Sequence, residues 1–503
     1  GIDLGTSPVV VRPNEALLAD NARFGSVYGG VEKIGGRSRL AVTAFTGPVI
    51  GLVEARLNGT DYLVGCSTNE IMQFDFSTKT WSDITNGQPG SPMNITASAE
   101  DRWDYTVIND LLILTDWSEP IQKWSGTGNT QNLGIGGFSA LRCKYLCAFN
   151  DVLFLGYTNE DSTTHSSRVR WSDGGDPEAW SSNSYADLGP KEGDVITGIT
   201  QLQNILVVFK RGSIWAGMYV GAPDYFIFEK VVQSRGAVAA FSVVTLGNQV
   251  YFLSNDGFYV YDGNPVPSRV SGTRIRGLVD GLTEADALQI VSTVHPNREE
   301  IWLSTGTCTW IYNYLTDDWS KSTYIHGYTS KARRPSQRET WDSLAGRNIT
   351  WDSVSYPWDT AYNRTGPVTF VGGDSSGDVH ELDVGLDDNG NALDFQYKTQ
   401  LIDCGSPDRW KRFLGLKLKL AAYDATLTID IYADGNTNAA ASKTVAVSSS
   451  NMFSEISGGY TEVVVNIDVV ARFICIRVRN NNVAENLRLY GFTIQYVLRE
   501  FIR

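Results

Sequence analysis

Residues 248–263, NQVYFLSNDGFYVYDG, carry the pattern that most constrains this chain. Val250, Phe252, Tyr259 and Tyr261 alternate with other residues on either side of Asn255-Asp256-Gly257. Alternation at period two puts one set of side chains on each face of a strand. Asn-Asp-Gly is a turn sequence, because Gly tolerates positive φ and Asn and Asp do so better than most residues. The stretch predicts a β-hairpin rich in aromatics.

Variants of this unit recur from about residue 49 onward. The copies are IGLVEARLNGTDYLVGCSTNEIMQFDF, YTVINDLLILTDWSEPIQKW, LCAFNDVLFLGY with RVRWSD, ITQLQNILVVFKRGSIWAGMY, VTLGNQVYFLSNDGFYVYDG and VSTVHPNREEIWLSTGTCTWIYNYLTDDW. In each, a strand ends in a polar turn and a very apolar strand follows. A second turn then leads to a strand closing on an aromatic. The first turns are Asn58-Gly59, Asn109-Asp110, Asn150-Asp151, Gln203-Asn204, Gly247-Asn248 and Pro296-Asn297. A seventh copy is read at 367–383, PVTFVGGDSSGDVHELD, whose Gly-Asp-x-x-Gly turn fits the last hairpin of a ring.

Copies about 40–55 residues apart, made only of short antiparallel strands, predict propeller blades. A lone four-stranded sheet cannot bury both faces, and stacking sheets around an axis covers all but the outer edges. The expected fold is all-β. A β-propeller of six or seven blades spans 49–391, after an N-terminal extended arm at 1–48 that packs on its own chain or on a neighbour. A C-terminal antiparallel β-sandwich spans 392–503, where Leu414, Leu416, Leu418 and Leu420 alternate with Gly415, Lys417 and Lys419. Two short helices are expected, around Leu282–Ile290 and Asn14–Ala22.

One segment breaks the repeat. Residues 326–366 form an insertion containing KARRPSQR and three Trp-Asp pairs: Trp341-Asp342, Trp351-Asp352 and Trp358-Asp359. A long loop inside a compact domain is commonly an interaction element. With Arg333, Arg334 and Arg338 those pairs make the candidate channel or interface loop. The competing reading is an Ω-type loop whose Trp residues form their own small core.

Composition removes several function classes. The formal net charge is −14, whereas a protein that wraps DNA is normally basic. An acidic surface can still let nucleic acid slide past. The six cysteines are scattered and several sit in apolar runs, so buried free thiols are expected rather than a disulfide framework. Cys143 and Cys147 lack a second pair at zinc spacing. No run of 18 apolar residues occurs.

A search for chemistry finds no catalytic, cofactor or metal constellation. His165, His295, His326 and His380 are isolated in sequence and lack HExxH spacing. No GxSxG elbow or GxxxxGK[ST] loop occurs. Propeller glycosidases need paired carboxylates, but acidic residues here are too abundant to discriminate. The nearest match to an Asp-box, Ser172–Trp180, has the Asp one position early and no Thr. Asp387-Asp388-Asn389-Gly390-Asn391 lacks the alternating ligands and closing Glu of a calcium loop, so a turn is expected. Further basic clusters occur at Arg274 and Arg276, at Lys331, and at Arg409, Lys411 and Arg412. They are either solvated residues paired with acids or contacts to subunits and DNA phosphate.

Three segments, taken in order, resemble a known family. They are Ser7-Pro8 with Asn14-Glu15-Ala16, Asn21-Ala22-Arg23-Phe24 and Glu32-Lys33-Ile34-Gly35-Gly36; Arg168–Asp173 with Asp176-Pro177 and Trp180; and the Trp-Asp pairs of 341–359. Together they are similar to the tail hub and nozzle proteins of short-tailed bacteriophages, of the packaged-DNA stabilisation or tail tubular protein B type. Ile34 stands where that family often has Arg, and the chain is shorter than many nozzles. The resemblance implies a structural virion protein of the phage tail and not an enzyme. It implies a homohexameric ring, with an adaptor ring and tail fibre or spike proteins as partners. Double-stranded DNA would be retained and then pass transiently through the channel. A rival expectation is a propeller-type carbohydrate-active enzyme or glycan-binding protein using Tyr- and Trp-rich loops; a kelch-like adaptor is a third.

Overall fold

The computed structural model describes residues 2–3, 15–24, 30–88, 91–99, 101–222, 224–334, 368–423, 425–447 and 461–499. Nearly all regular structure among them is strand. The hairpin at 248–263 forms from Gln249–Ser254 and Gly257–Tyr261, with Val250 opposite Tyr261 and Phe252 opposite Tyr259. All four pack in one buried cluster with Val207 and Phe209. Its turn differs from expectation, since neither Asn255 nor Asp256 lies at positive φ. Gly257 is needed for space instead: a Cβ there would stand 2.7 Å from Arg269 Nε and Ser271 Oγ. The left-handed rule applies to other turns, where Asn58-Gly59, Asn109-Asp110 and Asn150-Asp151 have positive φ at both residues, as two-residue I′ hairpins require.

Seven groups of four antiparallel strands follow one another. The first sheet is Val49–Leu57, Thr60–Ser67, Ile71–Asp75 and Thr80–Asp83; the second begins with Asp104–Ile108, the third with Leu141–Phe149 and the fourth with Ile196–Leu202. The fifth begins with Val244–Leu246 and the sixth with Val291–Val294. The seventh comprises Tyr328–Arg333, Val368–Gly373, Val379–Leu382 and the early strand Arg37–Arg39. Successive leading strands are neighbours in space, and that of the seventh sheet lies beside that of the first. Apolar clusters fill the gap between each successive pair, as Leu141 and Leu153 meet Ile108 and Ile113. Leu52 and Leu63 of the first sheet likewise share a cluster with Val371 and Val379 of the seventh.

The described part of the N-terminal segment packs on its own chain as short strands. Strand β1 (Ala16–Asp20) lies between Asp318–Ser322 of the sixth sheet and Phe395–Thr399, extending that sheet to nine strands. β2 (Ala22–Phe24) and β3 (Val31–Lys33) join a five-stranded sheet with Asn486–Leu498, Lys411–Tyr423 and Thr461–Ala471. β4 (Arg37–Arg39) pairs with Val379–Leu382. The helix expected at Asn14–Ala22 is therefore β1, because partners on both flanks take up its backbone hydrogen bonds. Around Leu282–Ile290 a helix does form, Glu284–Gln289, with a capping box at Thr283 and Asp286. The insertion read from His326 begins later than expected, since Tyr328–Arg333 leads the seventh sheet.

Beyond residue 392 the five-stranded sheet and the far strands of the nine-stranded sheet share one core, with Leu416, Leu418 and Ile467 meeting Leu427, Ile429 and Ile476. The expected alternation fails at one place. A register shift between Phe413 and Gly415 turns Leu414 outward, 41% exposed, while Leu416, Leu418 and Leu420 are fully buried. All six cysteines are free, and Cys66, Cys143, Cys147 and Cys475 are buried. No helix among the described residues is long and apolar enough to cross a membrane.

Gly36 marks where β4 begins, and a Cβ there would overlap the Asp387 carbonyl oxygen. Overpacking against backbone costs about 1–3 kcal/mol. Gly36→Ala should lower the urea midpoint accordingly. Gly137→Ala, whose Cβ meets no atom within 4 Å, should leave it unchanged.

Candidate functional site

The candidate loop is only partly within the described residues. Arg333 Nε stands 3.5 Å from Glu54 Oε1, with Lys331 Nζ at 3.5 Å from the other oxygen. Arg334 Nη2 donates to both Glu381 oxygens at 3.0 Å. Arg338, Trp341, Asp342, Trp351, Asp352, Trp358 and Asp359 lie outside the described residues. The other basic clusters are paired as well. Arg274 meets Glu15 at 3.3 Å and Asp317 at 2.9 Å, Arg276 meets Asp280 at 2.9 Å, and Arg412 meets Asp468 at 2.7 Å. Lys411 is buried, and its ammonium donates to the carbonyls of Arg409 and Arg472. Apart from Arg276 with Asp280, four residues on, these partners come from distant sequence, so the pairing was invisible in the clusters themselves. Exposed pairs of this kind contribute little energy.

A cavity of about 1000 Å³ runs between the leading strands of the second to seventh sheets. Its wall includes Thr106, Thr200, Thr245, Thr293 and Thr329, one from each of five strands. Several of these bridge adjacent sheets. Thr106 Oγ1 accepts the Ala148 N–H at 3.0 Å, the Thr200 and Thr245 hydroxyls lie 2.9 Å apart, and Thr293 donates to the Thr329 carbonyl at 2.8 Å. Phe241 packs against both the cluster of Tyr145 and Ile199 and that of Val291 and Tyr328, so it reaches across the space between them. The lining carboxyls are Asp104 and Glu299. Asp104 faces the cavity yet lies deep in the molecule, and this desolvation pushes its carboxyl up to about 7. It already accepts the Leu146 and Tyr105 N–H groups at 2.8 and 2.9 Å. Through Leu146 that carboxyl joins the second and third sheets.

The N-terminal motif residues converge elsewhere, at a junction of the sixth sheet, seventh sheet and C-terminal strands. Asn21 Nδ2 donates to Thr323 Oγ1 at 2.9 Å and to the Asp394 carbonyl at 2.8 Å. Arg23 is buried and spans two carboxylates, donating to Glu300 Oε1 at 2.5 Å and Asp383 Oδ1 at 3.2 Å. Trp302 Nε1 holds Glu300 Oε2 at 2.9 Å. Gly35 N–H and Arg298 Nε hold Asp383 at 2.9 and 2.7 Å. Lys33 is buried and donates to Asn480 Oδ1 at 2.8 Å; burial brings its amine down to about 8. Glu32 pairs with Arg488. In the second motif Arg170 is buried and holds Glu160 through two hydrogen bonds of 2.8 and 2.9 Å, while Asp173 and Asp176 are exposed.

Three of the four histidines gather near this junction, although nothing in their spacing indicated it. His295 Nε2 lies 3.4 Å from Asp383 Oδ2. His326 and His380 are buried with ring centres 6.4 Å apart.

No protein-family model and no curated protein matches this chain. Among solved structures it is similar to the extracellular domain of a one-component system from B. thetaiotaomicron, at 12% identity and a TM-score of 0.36 over 58% of this chain. The chain spans 37% of that structure's length. A likeness so weak carries no functional argument.

Burial by itself would raise the Asp383 carboxyl, but Arg23, His295 and Arg298 outweigh it and hold the group well below the usual carboxylate range. Its contribution to stability is therefore present above the unfolded value of about 3.9 and drains as pH falls below it. Removing Arg23 takes from buried Glu300 the cation it pairs with and leaves Asp383 to Arg298 and His295. Arg23→Met should cost about 3–5 kcal/mol at neutral pH and flatten the acid limb of a stability–pH profile measured by urea denaturation.

Proposed function

We propose that this chain is a structural virion protein, a subunit of the hub or nozzle ring in the tail of a short-tailed bacteriophage, and that its repeating part is a seven-bladed β-propeller. The observation that carries the reading is the use made of the family-like N-terminal segment. Asn21, Arg23, Lys33 and Gly35 fasten the last sheet to the C-terminal strands, and β4 supplies the last sheet's outer strand. In a propeller this is a closure in which the chain's start completes its final blade. The apolar cluster shared by the first and seventh sheets supports closure. The two sheets over the C-terminal core support the β-sandwich.

A mechanical role suits this construction. Each blade is braced by its neighbours, and the N-terminal segment ties propeller to sandwich. DNA would run between subunits rather than through the propeller itself. The internal cavity of about 1000 Å³ has the size of a small-ligand pocket, and Phe241 reaches across it. With a net charge of −14, a lumen lined by six copies would repel phosphate and keep DNA mobile. Exposed apolar side chains offer subunit contacts: Tyr219, Val220 and Tyr225 on the fourth sheet, Val464 and Val497 on the five-stranded sheet, and Trp410 just before one of its strands. An adaptor ring and tail fibre or spike proteins would be the other partners.

Negative-stain images of the purified protein should show six-fold rings. A monomer at every concentration that binds or cleaves glycans would overturn this reading in favour of a carbohydrate-active propeller. The insertion is tested separately. Deleting 336–362 spares Tyr328–Arg333 and should make assembled particles leak DNA; full retention would remove the loop from the channel.

A further inference from the structure

We infer that the turn between the two central strands of the seventh sheet is a binding site for a divalent transition-metal cation, with Asp374, Asp378 and His380 as ligands. The turn is Gly373-Asp374-Ser375-Ser376-Gly377-Asp378, between Val368–Gly373 and Val379–Leu382. Asp374 Oδ1 accepts the N–H groups of Ser376 and Asp378 at 2.9 and 3.0 Å, which fixes the carboxylate. Its second oxygen is thereby aimed at His380 Nδ1, 3.7 Å away. Ligand atoms of the three residues all lie within 4.8 Å of one another, so one ion can reach all three.

The unmet polar demand at this place is an independent sign. His380 is 3% exposed, and its Nδ1 has no hydrogen-bond partner. At 3.7 Å the Asp374 oxygen is beyond hydrogen-bond reach. Beside it His326 is wholly buried with both ring nitrogens unpartnered. Buried polar atoms are nearly always satisfied, and an orphan calls for a ligand or water.

The donor set selects the ion. One imidazole nitrogen with two carboxylates suits Zn²⁺, Co²⁺, Ni²⁺ or Mn²⁺, whereas Ca²⁺ and Mg²⁺ take oxygen ligands. Three protein ligands leave a position for water.

A cation already competes for this place. Arg39 Nη2 lies 2.5 Å from Asp378 Oδ1, yet that oxygen accepts no aligned hydrogen bond. The Arg39 side chain is 40% exposed, so it can turn to solvent when a metal takes Asp378. Arg39 sits on β4, so metal binding bears directly on the strand that completes the seventh sheet.

Calorimetric titration of the EDTA-dialysed full chain tests this. Zn²⁺ should bind with one equivalent per chain and raise the melting temperature. His380→Ala and Asp374→Asn should each weaken binding by about tenfold or more, as loss of a ligand does. Arg39→Ala should tighten it, which a merely structural role for these residues does not require. Circular dichroism and the EDTA melting temperature report whether each variant is folded. Should His380→Ala not fold, Asp378→Asn takes its place. Absence of Zn²⁺ binding, binding untouched in folded ligand variants, or Ca²⁺ bound as tightly as Zn²⁺ would overturn the site.

Discussion

A four-stranded sheet has two faces to cover, and its own strands cover neither. Everything in the repeating part of this chain answers that constraint. Each sheet borrows a face from its successor, and the last must borrow from the first. The last is also a strand short, because Tyr328–Arg333, Val368–Gly373 and Val379–Leu382 supply three of its four. β4 makes up the difference, and the buried Arg23 with its two carboxylates locks the adjoining segment in place. Three ions in an apolar setting are costly unless matched. Here the match draws on residues near 23, 300 and 383, so it is satisfied only when the sheets are correctly ordered.

Local pattern was legible where partners are close in sequence. Period-two alternation and Asn-Asp or Asn-Gly pairs identify hairpins such as Gln249–Ser254 with Gly257–Tyr261, because turn and register lie within about a dozen residues. Elements whose partners are remote were misread. β1 looks like one turn of helix until Phe395–Thr399 and Lys321 flank it. Leu414 follows the alternation of its neighbours, and only a bulge imposed by two adjacent strands turns it out. The acids that pair Arg333 and Arg334, Glu54 and Glu381, belong to other strands. His326 and His380 meet through the fold alone.

The family-like motifs changed meaning once placed. Short conspicuous runs such as Asn21-Ala22-Arg23-Phe24 invite a reading as binding surface. In the structure they are interior fasteners, and Arg170 with Glu160 plays the same part within the third sheet. The exposed apolar side chains of the fourth sheet and the five-stranded sheet were not singled out by any motif. The strongly patterned residues hold the fold.

The pairing of the chain's start with its far end has a consequence for biosynthesis. Gly35 finds Asp383 across 348 residues. At about 5–20 residues per second, a ribosome takes roughly 20–70 s to bridge that span. Over that span β4 waits for Val379–Leu382, and the paired β2 and β3 wait for Asn486–Leu498, so their open edges can pair with other chains. The sheets from the first to the sixth can stack as they emerge, but the molecule stays unsealed until nearly the last quarter is made. Premature release, or a nascent neighbour offering its own Val379–Leu382, would give exchanged strands between copies.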